Sequence, residues 1–237
     1  MKSNKNISAD AAFFGSESIG KILLKIAPPV MLAQLIQALY NIVDSFFVGK
    51  YSDDSLTALT VIYPLQLIII AVSVGTGVGV NTYMARKYAL GKDDEAKKTA
   101  GAGMFLEIVS WAIFAFVSFF IMRPYVMTSA TSEGAINDAV TYGNIVCIGS
   151  LGTFLEANWS KVHQSSGNMR LPMLAQVAGA VTNIILDPIM IFGLGPIPEM
   201  GVAGAAYATV CGQFVAATIT GIRGFRLPPK MREIGSY

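Results

Sequence analysis

Charge is scarce in this sequence. Asp, Glu, Lys and Arg supply 14% of its 237 residues, against about 25% in an ordinary soluble domain. So few charges cannot clothe the surface of a water-exposed fold of this length. Histidine is represented by His163 alone, and the two cysteines, Cys147 and Cys211, both lie inside apolar runs. That inventory excludes a zinc-type metal site and a disulfide framework, and the cysteines read as small packing residues. A formal charge of +2 gives no basis for a nucleic-acid partner. No nucleophile–base constellation stands at helical spacing, so an intramembrane hydrolase is not expected either.

What the sequence has is apolar length. Hydrophobic residues make up 53% of it, and a membrane helix needs about 20 mainly apolar residues to cross a hydrocarbon core of about 30 Å. Six segments qualify, approximately 26–48, 59–84, 103–122, 142–159, 173–194 and 203–222. The expected fold is an all-α integral membrane protein, a bundle of six transmembrane helices over residues 21–222. A polar N-terminal stretch (1–20) precedes it and a basic tail (223–237) follows. The first stretch has neither the apolar core nor the small-residue cleavage site of a signal peptide, so the first span is expected to remain as an anchor.

The connections alternate in charge. The N-terminal stretch and first turn, the loop after span two (Arg86, Lys87, Lys92, Lys97, Lys98), the loop after span four (Lys161, Arg170) and the tail hold 15 of the 17 basic residues; the other connections hold only Lys50 and Arg123. Because Lys and Arg stay on the cytoplasmic side during insertion, both termini are expected in the cytoplasm, with the protein a multi-pass resident of the cell's inner membrane surrounded by lipid. Pro28 and Pro29 are expected in the first turn of span one, where a missing N–H costs least. Gly75, Gly77 and Gly79 in span two are expected to serve close helix packing. Gly193, Gly195, Pro196, Pro198 and Gly201 form a turn-rich link between spans five and six.

Ionisable groups at membrane depth cost about 2.5–3.5 kcal/mol on insertion scales and are functional candidates. Asp44, Glu107 and Asp187 lie within spans, and Glu156 lies near the end of one. Tyr40 precedes Asp44 by four residues and Asn183 precedes Asp187 by four, so each acid shares a helix face with a polar partner. Spans one and five start on the same side, which puts both acids in the outward halves of their helices, where one cavity can hold them. Pro188 leaves the carbonyl of Ile184 without its helical partner and gives span five a place to bend. A carboxylic acid withdrawn from water either takes up a proton or binds a hard cation such as Na⁺, and the sequence leaves both open; no other cofactor is indicated. The plain alternative is a pair of satisfied structural acids. Glu107 is expected to reach water or pair with a basic neighbour, Glu156 is a possible secondary polar site, and His163 is expected in a solvated loop.

Four stretches carry a resemblance. They are PPVMLAQLIQALYNIVDSFFVGK with Val43-Asp44, GTGVGVNTYMARKYALGKDDEAKK with Ala85-Arg86 and Gly91, VHQSSGNMRLPM with Gly167-Asn168, and TNIILDPIMIFGLGPIPEMGVAGAAYATV with Asp187-Pro188. In this order and spacing the sequence resembles the multidrug and toxic compound extrusion (MATE) transporters over roughly residues 20–222. The resemblance implies twelve helices in two six-helix lobes and cation-coupled (H⁺ or Na⁺) antiport of amphipathic, often cationic drugs or dyes. The chain would correspond to the N-terminal half, partnered by a second six-helix lobe or a second copy. It places the coupling site on Asp44, Tyr40, Asn183 and Asp187, with a hydroxyl in span six falling on Thr209. Two alternatives accompany it: a truncated or half-size lobe inactive in transport, and a lipid-linked saccharide flippase of the same superfamily. The second is disfavoured because Lys and Arg lie almost wholly outside the spans.

Overall fold

The computed structural model describes residues 18–225. Most of the polar N-terminal stretch and of the basic tail therefore lies outside the described residues. Seven helices account for the described part: α1 (Ile19–Tyr51), α2 (Asp53–Ala89), α3 (Asp93–Met127), α4 (Glu133–Gly149), α5 (Leu151–Ser165), α6 (Arg170–Phe192) and α7 (Val202–Phe225).

Five of these helices are long and apolar enough to cross a membrane. The remaining crossing is made by α4 and α5 end to end, which restores the expected six. They are joined at Ser150, whose backbone stays helical (φ −60°, ψ −7°) and whose hydroxyl donates to the carbonyl of Cys147 at 2.7 Å. The interruption coincides with a tight crossing: a side chain at Gly149 would strike Val210, and one at Gly152 would meet the backbone of Gln213 and Phe214 in α7.

Several helices outrun the apolar segments. Helix α2 has 37 residues, about 55 Å at 1.5 Å per residue, well beyond the hydrocarbon thickness. Its ends carry Asp53, Asp54, Arg86 and Lys87, so hydrogen bonding continues past the apolar stretch into polar surroundings. Lys87 and Lys92 pair with Glu95 across the turn to α3. At the other end of the bundle, Ser132 caps α4 by accepting from the N–H of Ala135 at 3.0 Å and donates to Asp54 at 2.7 Å. Helix α1 begins earlier than expected, so Pro28 and Pro29 lie inside it rather than in its first turn.

The outside is apolar. Leu35, Leu39, Ile42 and Phe46 recur at helical spacing along α1 and are all exposed, as are Phe105, Ile113, Phe116 and Phe120 on α3. In water such stripes would be large sticky patches; against lipid they cost nothing. The interior is built on small residues, Ala58, Ala139, Ala175, Ala205, Ala206 and Ala208 among them, with Ile62, Met122, Phe154 and Ile191 filling the larger gaps. Lipid tails are as apolar as leucine, so close packing of small residues is what holds membrane helices together. Of the three glycines in span two, Gly77 alone packs closely; side chains at Gly75 and Gly79 would meet nothing within 4 Å.

Candidate functional site

The closest backbone approach that bears on function is between α6 and α7. A β-carbon on Gly179 would lie 2.6 Å from the carbonyl oxygen of Gly212, and one on Gly212 would lie 2.6 Å from that of Gly179. Only glycine at both positions lets the helices touch there. One turn further along α6 stands Asn183, and almost one turn back along α7 stands Thr209. The close crossing brings them together: the Asn183 amide donates to Thr209 Oγ1 at 3.3 Å and to Asp187 Oδ1 at 3.1 Å. Both amide protons of Asn183 are thereby used.

Helix α1 packs against α6 and brings Asp44 to the same place. Asp44 and Asp187 are both buried, Asp187 completely, and each lies within electrostatic reach of the other and of Tyr40. After every hydrogen bond is counted, Asp44 Oδ1, Asp187 Oδ2 and Asn183 Oδ1 remain buried without a partner. A buried acceptor left so costs about 1–3 kcal/mol. Three such acceptors lie on α1 and α6 where these helices pack together, and unpartnered oxygens are the kind of group that a proton or a hard cation satisfies. Among the described residues no group of three or more His, Cys, Asp or Glu is placed to hold a metal ion.

A cavity of about 680 Å³ opens beside this cluster, and Tyr40, Asp44, Asn183 and Thr209 line it. Asp187 is not part of the wall and is linked to it through its hydrogen bond from Asn183. Glu156 lines the same cavity towards the opposite end of α6, accepting from Ser160 and, at 3.4 Å, from Gln176. The structure thus brings Tyr40, Asp44, Asn183, Asp187 and Thr209 into one neighbourhood and puts Glu156 at a distance.

Two wall residues escaped the sequence reading. Tyr142 on α4 is buried, lies beside Thr209 and receives a hydrogen bond from Gln66 of α2 at 3.3 Å. A tyrosine and a glutamine inside spans were the available signal, but neither has a polar partner at helical spacing to single it out.

Other expectations are corrected. Glu107 neither reaches water nor pairs with a cation: it is fully buried and both carboxyl oxygens lack a partner. Its side chain sits on the face that α3 turns to α5, the face where Gly103 abuts Asn158 and Phe114 meets Phe154. His163 is not in a solvated loop. It is completely buried on α5, with Nε2 3.0 Å from the carbonyl oxygen of Thr220 in α7. Lys161 likewise belongs to α5, which runs on to Ser165, and it lines the cavity. The absence of cations from the spans therefore no longer argues against an anionic cargo.

Comparison with known proteins places these features. The MatE family model matches residues 29–189. A protein of Shewanella oneidensis named "FAD transporter" is 30% identical over 209 residues, 87% of this chain and 46% of that protein. One of Thermotoga maritima named "Probable multidrug resistance protein NorM" is 32% identical over 210 residues, 85% of this chain and 43% of that protein. In three dimensions the chain superposes on a MOP superfamily transporter from Pyrococcus furiosus with a TM-score of 0.83 at 25% identity, covering 95% of this chain and 48% of the other. An outward-facing multidrug resistance transporter of the MATE family matches with the same TM-score, identity and coverage. The chain spans about half the length of the relatives it matches.

Proposed function

The chain belongs to the MatE family of transporters, and on that premise we propose that it is the N-terminal lobe of a cation-coupled exporter of amphipathic, often cationic compounds. In this reading Asp44, Asp187, Asn183, Tyr40 and Thr209 form the coupling site. The observation that carries it is the trio of buried, unpartnered oxygens on Asp44, Asn183 and Asp187. Left empty, two carboxylates within reach of each other repel, and each also bears its own desolvation cost. A proton or Na⁺ removes both penalties. The empty and occupied sites thus favour different spacings of α1 and α6, and Pro188 gives α6 a place to bend between them. Binding energy at the site is in this way converted into a change at the cavity wall, which is what alternating export requires.

The second lobe comes either from the remainder of a longer chain or from a second copy. The charge alternation supports cytoplasmic termini and residence in the cell's inner membrane. One relative is named for a flavin dinucleotide and others for drugs, so the cargo is decided by the cavity's own side chains.

The test is dye efflux from cells, with the proton and sodium gradients collapsed separately. Export is expected to fail when the coupling gradient is removed, and to fail in Asp44→Asn and Asp187→Asn proteins that reach the membrane in normal amounts. Full gradient-dependent export by both variants would remove the site assignment.

A further inference from the structure

Helix α5 lends the cavity two opposite charges that do not touch. Glu156 is half-buried on the wall, and Lys161 follows it five residues later and lines the same cavity. Each lies within electrostatic reach of the other, yet no ion pair joins them among the described residues. The helix explains the gap. Five residues turn a side chain by about 140°, whereas the spacings of three and four that bring charges together turn it far less. Neutral neighbours hold each charge where it stands. The Lys161 ammonium donates to Gln164 Oε1 at 3.0 Å, and a β-carbon on Gly77 would lie 2.7 Å from Lys161 Cγ, so the glycine of α2 makes room for the lysine stem. The Glu156 carboxylate accepts from Ser160 and, at 3.4 Å, from Gln176.

One oxygen of this carboxylate is left over. Both bonds fall on Oε1, so Oε2 takes none from the described residues and keeps its lone pairs for an incoming donor. Lys161 balances the charge from beyond contact, where Coulomb attraction is weaker. A donor that reaches Oε2 directly gains a charge-assisted hydrogen bond that the lysine does not make. The acid is balanced but not saturated. It is also separate from the coupling cluster: Gln176, its partner on α6, stands eleven residues before Asp187, about 17 Å along the axis. Gly179 and Ala180 line the cavity between Gln176 and Asn183, and Ile70 and Val74 of α2 add apolar wall, so an apolar body has a surface to lie on beside the acid.

We propose that Glu156 is the residue that recognises the cargo's ammonium group, and that Lys161 is its built-in competitor. A protonated amine donates to Glu156 Oε2 while its apolar body lies on the cavity wall, leaving the Asp44–Asp187 cluster free for the coupling cation. Lys161, a like charge close to the bound ammonium, keeps the complex weak enough for the cargo to leave again. This assignment rests on the transport reading above and names the residue that selects its cargo.

The test is equilibrium binding to the purified chain in lipid nanodiscs, corrected for binding to empty nanodiscs. The probes are pyrene-labelled alkyl chains of one length that end in a dimethylamine, protonated at neutral pH, or in a hydroxyl. The amine probe is expected to bind about tenfold more tightly than the hydroxyl probe, the worth of one charge-assisted hydrogen bond. Glu156→Gln is expected to abolish that preference, with folding checked by thermal unfolding. Lys161→Gln is expected to act in the opposite direction, tightening amine binding about fivefold by removing a like charge while leaving the hydroxyl probe unchanged. Equal affinity for the two probes in wild type and Lys161→Gln alike overturns the proposal without recourse to Glu156→Gln, and so does an undiminished preference in folded Glu156→Gln. Amine binding that is unchanged or weaker in Lys161→Gln overturns the role given to the lysine. Asp44→Asn is expected to keep the amine preference while ending gradient-driven export; loss of the preference there would put the ammonium at the acid cluster and overturn the assignment to Glu156. If the preference is absent but Asp44→Asn still ends export, the cargo assignment alone fails; if the preference stands but export survives Asp44→Asn, the coupling reading alone fails.

Discussion

Replacing Gly179 by alanine puts a methyl group where α6 and α7 cross backbone to backbone. The new β-carbon would lie 2.6 Å from the Gly212 carbonyl oxygen and 3.2 Å from the Ala216 β-carbon. Neither neighbour is the end of a flexible side chain, so the helices themselves must part, by about 0.8 Å to restore ordinary contact at 3.4 Å. The Asn183–Thr209 hydrogen bond, already 3.3 Å long, does not survive that separation. Overpacking costs about 1–3 kcal/mol and a stranded buried polar group about 1–3 kcal/mol; with partial relaxation, a loss of about 2–4 kcal/mol is expected. Gly75→Ala is the control. It lies on an exposed face with nothing within 4 Å of its new methyl, and is expected to gain about 0.5–1 kcal/mol from helix propensity. The assay is thermal unfolding in nanodiscs with and without Na⁺ and across pH. Besides its lower midpoint, Gly179→Ala is expected to lose stabilisation by the coupling ion. Equal midpoints for the two variants would refute the argument that this glycine pair sets the site's geometry.

Three further outcomes follow from single contacts. Thr209→Val removes the acceptor for one Asn183 proton and is expected to cost about 1–2 kcal/mol and to weaken the ion dependence of export, which Thr209→Ser restores. His163→Leu is expected to cost about 1–2 kcal/mol in thermal unfolding because it takes away the partner of a buried carbonyl; a solvated histidine would show no change. Glu107→Leu is expected to stabilise the fold by about 1–3 kcal/mol at neutral pH, since an unpartnered buried acid is exchanged for an apolar side chain. A drop in midpoint there would mean that the carboxyl holds α3 to its neighbours.

The six crossings were readable because desolvation is a property of the local chain: a run of about 20 apolar residues reports the membrane wherever its neighbours stand. The pairing of Asn183 with Asp187 was readable for a similar reason, since four residues along a helix fix a shared face. His163 and Lys161 were misplaced because the apolar segment ends before the helix does, whereas Glu107 lies within its expected span and only the packing of the helices buries its face. Helix α5 runs on to Ser165 with polar residues that face other helices or the cavity, and composition cannot distinguish such a face from a loop.

The amino-acid order by itself determined that this protein is a membrane-spanning helical bundle with acids at membrane depth on its first and fifth spans. Only the tertiary structure decided that Gly179 and Gly212 touch, that Thr209 thereby reaches Asn183, that α1 brings Asp44 within reach of Asp187, and that Lys161 faces the same cavity. Hydrophobic length and helical spacing are local quantities written along the chain. The distance between two helices is set by every side chain packed between them, and that sum exists only once the bundle has formed.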